Sequence, residues 1–287
     1  MYITKKRLSI EFWGANVERH HIVWNSENVN RLWDYTASCN VKEDSYFGYQ
    51  VGEAIVHFCT FFVEDINKCN VLDYGSGMGH IIGKFLDKKV HVTGVDMSGE
   101  EVDRVNKKYA DNKFFHGVKL FDGGRLPFND NEFDLITCTE VIEHVLDEHI
   151  DNLLNELYRV MKPGGIVLFT TPNNENIEES ERCCPECNTI FHVHGHVRSF
   201  SKETIEKMLE EHNYATILCD ATDYEYIQRY LHCPSLLDLS IRQMIRRLKR
   251  SLIDIQDIGK KNINSHLFSV YVGLKRKPHL FYVGTKK

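Results

Sequence analysis

The sequence has no long apolar run, since no segment reaches the ~18 consecutive apolar residues of a membrane-spanning helix. Its first twenty residues include basic side chains but lack the apolar stretch of a secretory signal. Basic residues are also few relative to acidic ones, 35 against 41, which gives a formal net charge of -6. A surface adapted throughout to polyanions is therefore excluded, and nucleic acid is not an expected partner. We predict a cytoplasmic protein without a transmembrane segment.

The sequence also lacks internal repeats and low-complexity tracts, and 42% of its 287 residues are hydrophobic. A chain of this size and composition can bury one sizeable core. From about residue 69 to 171, short apolar runs alternate with amphipathic stretches of helical length. That alternation is typical of parallel strands joined by crossover helices. We therefore predict an α/β fold with a doubly wound, mostly parallel sheet.

Four segments are expected along the chain. Residues 1–60, rich in aromatics, should form a helical cap over the ligand cleft, and 61–220 should form the α/β domain. A final edge strand is predicted at 279–287, which makes 221–278 an insertion between the last two strands. Within that insertion, 236–253 has an apolar and a basic face, so we predict a helix packed on the domain with a solvated basic face. The alternative is peripheral contact with a membrane.

The strongest local pattern is a buried strand that runs into a glycine-rich turn, Val71 to Gly79, and then into a helix. Glycine lets the backbone turn sharply and approach a ligand closely. A dinucleotide fingerprint would have its third glycine where this chain has His80, and the strand ends in Asp73. An acid suits a cationic ligand better than a pyrophosphate, because Asp73 can face an ammonium group directly or through water. The turn therefore predicts a site for the amino-acid end of a cationic cofactor.

Two further acids follow the next two predicted strands. Asp96 ends one strand, at the position from which a carboxylate can bind both hydroxyls of a ribose, and Met97 beside it can cover an adenine. Asp122 precedes Gly123 and Gly124 after the next strand, where it can accept from the adenine amino group. Each acid alone is equally compatible with a helix cap or a turn. Their order along the chain indicates an adenosine-containing ligand.

Five motifs between residues 46 and 220 resemble those of the class I S-adenosylmethionine methyltransferases. LDYGSGMG is similar to the first motif, VTGVD to the second, the acid before GGRLPF to the third, FDLITCTEVIEHV to the fourth and LYRVMKPGGIVLFTTPN to the fifth. The double glycine after Asp122 departs from the larger residue usual there. The resemblance implies S-adenosylmethionine as cofactor. It implies these cofactor-binding residues: Asp73, Gly75, Ser76, Gly77, Asp96, Met97, Asp122, Gly123, Cys138 and Thr139.

The chemical step points to Glu140, Glu143 and His144, which follow the fourth predicted strand at the carboxyl edge of the sheet, where such folds bind ligands. Methyl transfer mainly requires alignment of a nucleophile, and removal of one proton when the acceptor is a hydroxyl. On a helix, Glu140 and His144 would share a face. We predict His144 as general base, because its ordinary pKa lies near neutrality and a carboxylate can orient it. The alternative is a buried structural histidine.

Nine cysteines in a chain without a signal sequence indicate reduced thiols, most of them small buried hydrophobes. The exception is a loop, 183–196, with three cysteines followed by three histidines. Its Cys-x-x-Cys and His-x-x-x-His spacings suit a tetrahedral, structural zinc ion. The predicted zinc ligands are Cys184, Cys187, His192 and His196. The alternatives are loop cysteines beside surface histidines, or His196 at the acceptor cleft through a His-x-Arg-x-Phe sequence common in the family.

The loop also resembles a Cys-x-x-Cys and histidine insertion in some bacterial methyltransferases of glycan-type gene clusters. We therefore predict methyl transfer to a hydroxyl, or less favourably an amine, of a small polar acceptor such as a sugar, a sugar nucleotide or a surface-glycan precursor. One alternative is a metal-dependent methyltransferase of RNA 3' ends, whose two-Glu, two-His metal set Glu140, Glu143, His144 and His196 resemble; the acidic balance disfavours it. The others are a quinone-type methyltransferase at a membrane and a non-catalytic scaffold.

Overall fold

The structure, a computed structural model, describes residues 18–38, 43–231 and 277–287. The strands of the described residues are β1 (His20–His21), β2 (Asn70–Tyr74), β3 (His91–Asp96), β4 (Phe115–Leu120), β5 (Phe133–Thr139), β6 (Met161–Pro172), β7 (Glu181–Cys183), β8 (Thr189–His192), β9 (Tyr214–Thr222) and β10 (His279–Lys286). The predicted basic helix at 236–253, and most of the predicted insertion, lie outside the described residues.

The α-helices of the same residues are α1 (Ser26–Ser38), α2 (Phe47–Cys59), α3 (His80–Asp87), α4 (Gly99–Tyr109), α5 (Asp147–Val160), α6 (Lys202–Glu211) and α7 (Tyr224–Leu231). Short 3-10 turns lie at Glu43–Ser45, Ile66–Lys68, Ile142–His144 and Ile177–Ser180. Side-chain caps start two of these helices. The Ser98 side chain accepts from the Glu101 backbone N–H at the start of α4, and Ser201 and Thr204 form a capping box at the start of α6.

Seven strands form the central sheet in the order β4-β3-β2-β5-β6-β10-β9. β2 lies in the middle and pairs in parallel with β3 on one side and β5 on the other. Helices α2, α3, α4 and α7 contribute to the core on one face, and α5 and α6 contribute to the core on the opposite face. The predicted doubly wound, mostly parallel sheet is confirmed. Its topology brings the carboxyl ends of β2, β3 and β5 to one edge, where ligands bind in such folds.

The last strand, β10, is not the edge strand that the sequence analysis predicts. It lies between β6 and β9 and is antiparallel to both. The reason is its continuous apolar run, Leu280 to Val283, in which every side chain is fully buried. A strand that is covered on both faces and paired on both sides needs such a run, whereas an edge strand alternates apolar with polar residues.

Part of the predicted N-terminal helical cap belongs to the core of the α/β domain instead. In α2, Val51, Ala54, Ile55 and Phe58 are fully buried, so this helix belongs to the core of the α/β domain. Helix α1 instead reaches the acceptor side of the sheet edge, where the Trp33 ring contacts His144. No helix of the described residues is long and apolar enough to cross a membrane.

A second, three-stranded sheet has the order β1-β8-β7 and lies near the carboxyl edge of the central sheet. Strands β7 and β8 form an antiparallel hairpin in which Glu181 pairs with His192 and Cys183 with Ile190. β1 joins it in parallel, with His20 opposite Thr189. This small sheet therefore ties the N-terminal segment to the loop that carries the predicted zinc ligands.

Candidate functional site

The glycine-rich turn lies directly after β2 at the carboxyl edge of the sheet. Gly75 has a φ of +72°, and a methyl group there would lie 2.5 Å from Val141 Cγ2. Gly77 also has a positive φ, but a methyl group on it would meet nothing within 4 Å. The Ser76 hydroxyl between them is buried without a hydrogen-bond partner. Open space beside Gly77 and an unpaired buried hydroxyl fit a bound cofactor at this turn.

The two predicted acidic contacts flank this turn. Asp73 is buried and accepts a 2.7 Å hydrogen bond from Thr137 Oγ1, and burial raises the pKa of its carboxyl to about 7. Asp96 Oδ2 accepts from the Gly77 backbone N–H at 2.8 Å, and its Oδ1 accepts from Ser98 N–H at 2.9 Å. Because each carboxylate oxygen has two lone pairs, these two contacts leave Asp96 able to accept further hydrogen bonds.

The other predicted cofactor residues surround this centre. Cys138 is fully buried and pairs with Tyr74 of β2, and Thr139 follows it at the sheet edge. Met97 is 54% exposed, as a residue free to cover an adenine must be. Asp122 lies on an exposed loop with Gly123, whose carbonyl accepts from the Asn152 side chain at 2.8 Å. The predicted cofactor residues of β2, β3 and β5 thus lie on neighbouring strands, whereas Asp122 lies on an exposed loop.

Next to this turn is a cluster of carboxylates and imidazoles, which we call the Glu/His cluster. Its members are Glu140, Glu143, His144, Glu175, His192 and His196. One ligand atom from each of Glu143, His144 and His196 lies within 4.8 Å of the other two, and the same holds for Glu175, His192 and His196. Three separate stretches of the chain contribute: the segment after β5, the segment after β6, and the end of β8 with the residues that follow. The Trp33 ring packs edge-on against His144, with centroids 4.9 Å apart.

The backbone around His144 differs from the sequence expectation. Val141 does not start an α-helix; Ile142–His144 form one 3-10 turn, and Glu140 has a φ of +52°. Glu140 and His144 therefore do not share a helical face. Burial lowers the pKa of His144 to about 3, so the near-neutral pKa expected of a general base is absent. The ring is held by an Nδ1 contact of 3.3 Å to the Gly195 carbonyl.

Two carboxylates of the cluster follow β5 directly. Glu140 Oε1 accepts from Thr170 Oγ1 at 2.9 Å, and burial raises the pKa of Glu140 to about 7. Glu143 is only 1% exposed, and neither of its oxygens has a hydrogen-bond partner. Burial, with the negative charge of Glu140 nearby, raises the pKa of Glu143 well above its ordinary value.

The predicted zinc ligands are not brought together, and this corrects the sequence analysis. Cys184 lies at the tip of the β7–β8 hairpin, where its N–H donates to Thr189 O, and Cys187 Sγ lies 3.1 Å from Thr189 Oγ1. His192 lies at the other end of β8, three residues along, which is about 10 Å at the rise of a strand. Cys187 is exposed, whereas His192 and His196 are buried around Glu175. The hairpin therefore separates the four residues into a pair at its tip and a buried pair.

Glu175 is the main site residue that sequence reasoning misses. It follows β6 at the sheet edge, in the stretch after Pro172, and contacts both His192 and His196. The available signal was its position just beyond the fifth strand, since residues there share the ligand-binding edge with those after β5. Thr137 and Trp33, which hold Asp73 and His144, gave no comparable signal.

Comparison with known proteins assigns this geometry to a family. A model described as a methyltransferase domain matches residues 13–218, which is more than half of the chain. The chain belongs to this methyltransferase family. Its class I fold and its dependence on S-adenosylmethionine agree with the motifs and with the space at the glycine-rich turn.

Individual relatives cover this methyltransferase less completely. A ubiquinone/menaquinone biosynthesis C-methyltransferase of Desulfotalea psychrophila is 34% identical over 37% of this chain and 44% of its own length. An arsenite methyltransferase of Mus musculus is 32% identical over 37% of this chain and 31% of its own length. The chain thus spans less than half of the curated relatives that it matches.

Among solved structures, a phosphoethanolamine N-methyltransferase 2 of Haemonchus contortus in complex with S-adenosyl-L-methionine has a TM-score of 0.55. It is 16% identical and covers 89% of this chain and 60% of that one. At this identity the likeness shows the fold alone.

Proposed function

We propose that this methyltransferase transfers the methyl group of S-adenosylmethionine to a hydroxyl of a small polar acceptor. A sugar, a sugar nucleotide or a surface-glycan precursor is the favoured acceptor class, and an amine is the less favoured one. The observation that carries the proposal is the position of the Glu/His cluster, which begins at Glu140 immediately after the predicted cofactor residues Cys138 and Thr139. An acceptor reaching the methyl group would meet carboxylates and imidazoles, which are suited to bind and deprotonate a hydroxyl.

The turn and the cluster then have separate tasks. Asp73 faces the ammonium end of the cofactor, and Asp96 binds its ribose. The acceptor oxygen attacks the methyl carbon, so that a C–O bond forms, the C–S bond breaks and S-adenosylhomocysteine leaves. The hydroxyl proton passes to the Glu140 carboxylate, whose pKa of about 7 suits a general base, or to water. Alignment of the oxygen with the sulfonium group supplies most of the acceleration.

The relatives favour other acceptors, namely a carbon atom in one case and arsenite in the other. Those matches cover 37% of this chain each, so they bear on the shared methyltransferase fold more than on the acceptor. The quinone alternative depends on the basic segment 236–253, which lies outside the described residues. A cytoplasmic location likewise stays a prediction.

A second candidate is metal-dependent methylation of RNA 3' ends. The observation in its favour is the approach of Glu143, His144 and His196 to within 4.8 Å of one another. The formal net charge of -6 weighs against it, because RNA binding depends on basic surface.

The test is to incubate the protein with methyl-labelled S-adenosylmethionine and separate fractions of sugar nucleotides, polar metabolites, quinones and short RNAs. We expect label in the sugar-containing fractions, with fragmentation by mass spectrometry placing the methyl group on oxygen. Label on a quinone carbon, on arsenite or on the RNA 3' end would replace the proposed acceptor. Tight cofactor binding without turnover on any fraction would support the scaffold instead.

A further inference from the structure

We propose that Glu143, His144 and His196 bind one divalent metal ion on the acceptor side of the site. The inference goes beyond the acceptor class proposed above and rests on it only for the role of the metal, not for its binding. The ligand set also differs from both sets considered in the sequence analysis: it contains neither cysteine, and Glu140 is not required.

The two imidazoles present the nitrogen that a metal needs. A carbonyl oxygen only accepts hydrogen bonds, so the contact between His144 Nδ1 and Gly195 O places the hydrogen on Nδ1. The contact between His196 Nδ1 and the Glu175 carboxylate does the same for His196. Both rings therefore keep a free lone pair on Nε2. A ligating histidine almost always donates its other nitrogen to a carboxylate or a carbonyl, as these two do.

His192 is excluded as a ligand by the same reasoning. Its Nδ1 accepts from the backbone N–H of His196 at 3.1 Å and lies 3.3 Å from that of His194. The hydrogen of the neutral ring is therefore on Nε2, which faces Glu175 Oε1 at 3.4 Å. His192 thus positions Glu175, and Glu175 in turn positions His196.

Glu143 supplies the observation that favours a cation at this site. A carboxylate that is 1% exposed and has no hydrogen-bond partner is costly, since its desolvation is not offset. Its ion-pair contact among the described residues is with His144 Nε2 at 3.9 Å, the same nitrogen that is free to bind a metal. A divalent ion between these atoms would satisfy the carboxylate and both imidazoles together.

The chemistry of the set selects the ion. Two imidazoles and one carboxylate suit zinc, manganese or iron(II), whereas magnesium prefers oxygen ligands only. Three protein ligands leave at least one coordination position open, as in catalytic rather than structural metal sites. Under the proposed function, the acceptor oxygen occupies that position. The metal lowers the pKa of the acceptor hydroxyl, and the proton passes to Glu140 or to water before the oxygen attacks the methyl carbon.

Cobalt(II) is the probe for the test, because its visible absorption reports the ligands and the geometry. We would strip the full-length protein with a chelator and titrate it with cobalt(II) alone. We expect one ion per chain, and affinity reduced about 100-fold or more in Glu143→Gln and in His196→Asn. Glu175→Gln, which removes only the positioning carboxylate, should weaken binding by about 10- to 100-fold and shift the spectrum. Cys184→Ser combined with Cys187→Ser is the matched control and should bind cobalt as the wild type does.

Each outcome decides the proposal. Wild-type affinity in Glu143→Gln would overturn it, and so would loss of the cobalt spectrum in the cysteine double variant alone. Thermal unfolding and S-adenosylmethionine binding, measured on every variant, show whether a variant is folded. The titration contains neither acceptor nor cofactor, so a protein that binds cobalt as expected but labels no hydroxyl would contradict the proposed function and leave the metal site standing.

Discussion

The glycine-rich turn and the Glu/His cluster share one sheet edge but are built in opposite ways. The turn is one continuous stretch, Gly75 to Gly79, in which positive φ angles and open space beside Gly77 make the site. The cluster consists of side chains from distant segments, which are buried together and orient one another. The difference teaches that damage to the turn should change cofactor affinity, whereas damage to the cluster should change the rate of methyl transfer.

The largest effect should come from the cluster. His144→Ala removes a proposed metal ligand beside the acceptor, so we expect turnover to fall by roughly 100-fold or more while cofactor affinity stays within about two-fold of wild type. Single-turnover kinetics with labelled cofactor, beside calorimetry of cofactor binding, would measure both. An equal loss of affinity would show that the two regions are one functional unit.

The next effect should come from the turn. Asp96→Ala removes the carboxylate that accepts from Gly77 N–H and that we propose binds the ribose, so we expect cofactor binding to weaken by about 1 to 3 kcal/mol. Turnover at saturating cofactor should change little. Asp122→Ala is the matched comparison, because Asp122 is exposed and its removal should weaken cofactor binding less. Calorimetry that finds unchanged affinity in Asp96→Ala would remove Asp96 from the site.

A smaller effect should appear with pH. Burial raises the pKa of Asp73 to about 7 in the free protein, and a cofactor ammonium group favours the ionised carboxylate. Cofactor affinity should therefore rise by about five- to ten-fold from about pH 6 to about pH 7.5, as Asp73 ionises. The upper limit lies just below the α-amino pKa of about 7.7 to 8.0, so the cofactor amine still carries most of its charge there. Asp73→Asn should show a flat profile; a wild-type profile in that variant would assign the titration to another group.

The smallest effect should come from the hairpin tip. Cys184 and Cys187 lie away from the cluster, so changing both to serine should leave turnover and cofactor affinity within about two-fold of wild type. A loss of turnover comparable to that of His144→Ala would restore the four-ligand zinc site of the sequence analysis. Elemental analysis of both proteins would show which set holds the metal.

The two regions were also unequally predictable. The turn and its acids follow from local sequence, because a strand, a glycine turn and a helix are determined within a few neighbouring residues. Glu140, Glu143 and His144 were found for the same reason, since they follow β5 directly. Their backbone conformation could not be predicted, because the positive φ of Glu140 and the 3-10 turn after it depend on packing at the sheet edge.

The predicted set of zinc ligands was wrong because the spacing of residues along the sequence does not determine strand register. His192 and Cys184 are eight residues apart in a loop that the sequence presents as one cluster. The pairing of Glu181 with His192 in the β7–β8 hairpin sets them at opposite ends. Which imidazole nitrogen is free depends on Gly195 and on Glu175, and neither contact is encoded near the histidine it orients.

The interior position of β10 makes both β9 and the edge of β6 depend on this one strand. Among the described residues, β9 pairs only with β10. Strand β9 is therefore joined to the rest of the sheet only through the pairing of β10 with β6. The pairing of β10 with β9 closes the long stretch between Thr222 and His279, so it is a contact between residues far apart in the sequence. Without β10, β6 is an open edge that another chain can pair with. A sheet without β9 and β10 would therefore still contain the cofactor turn and the Glu/His segment after β5, but it would expose the edge of β6.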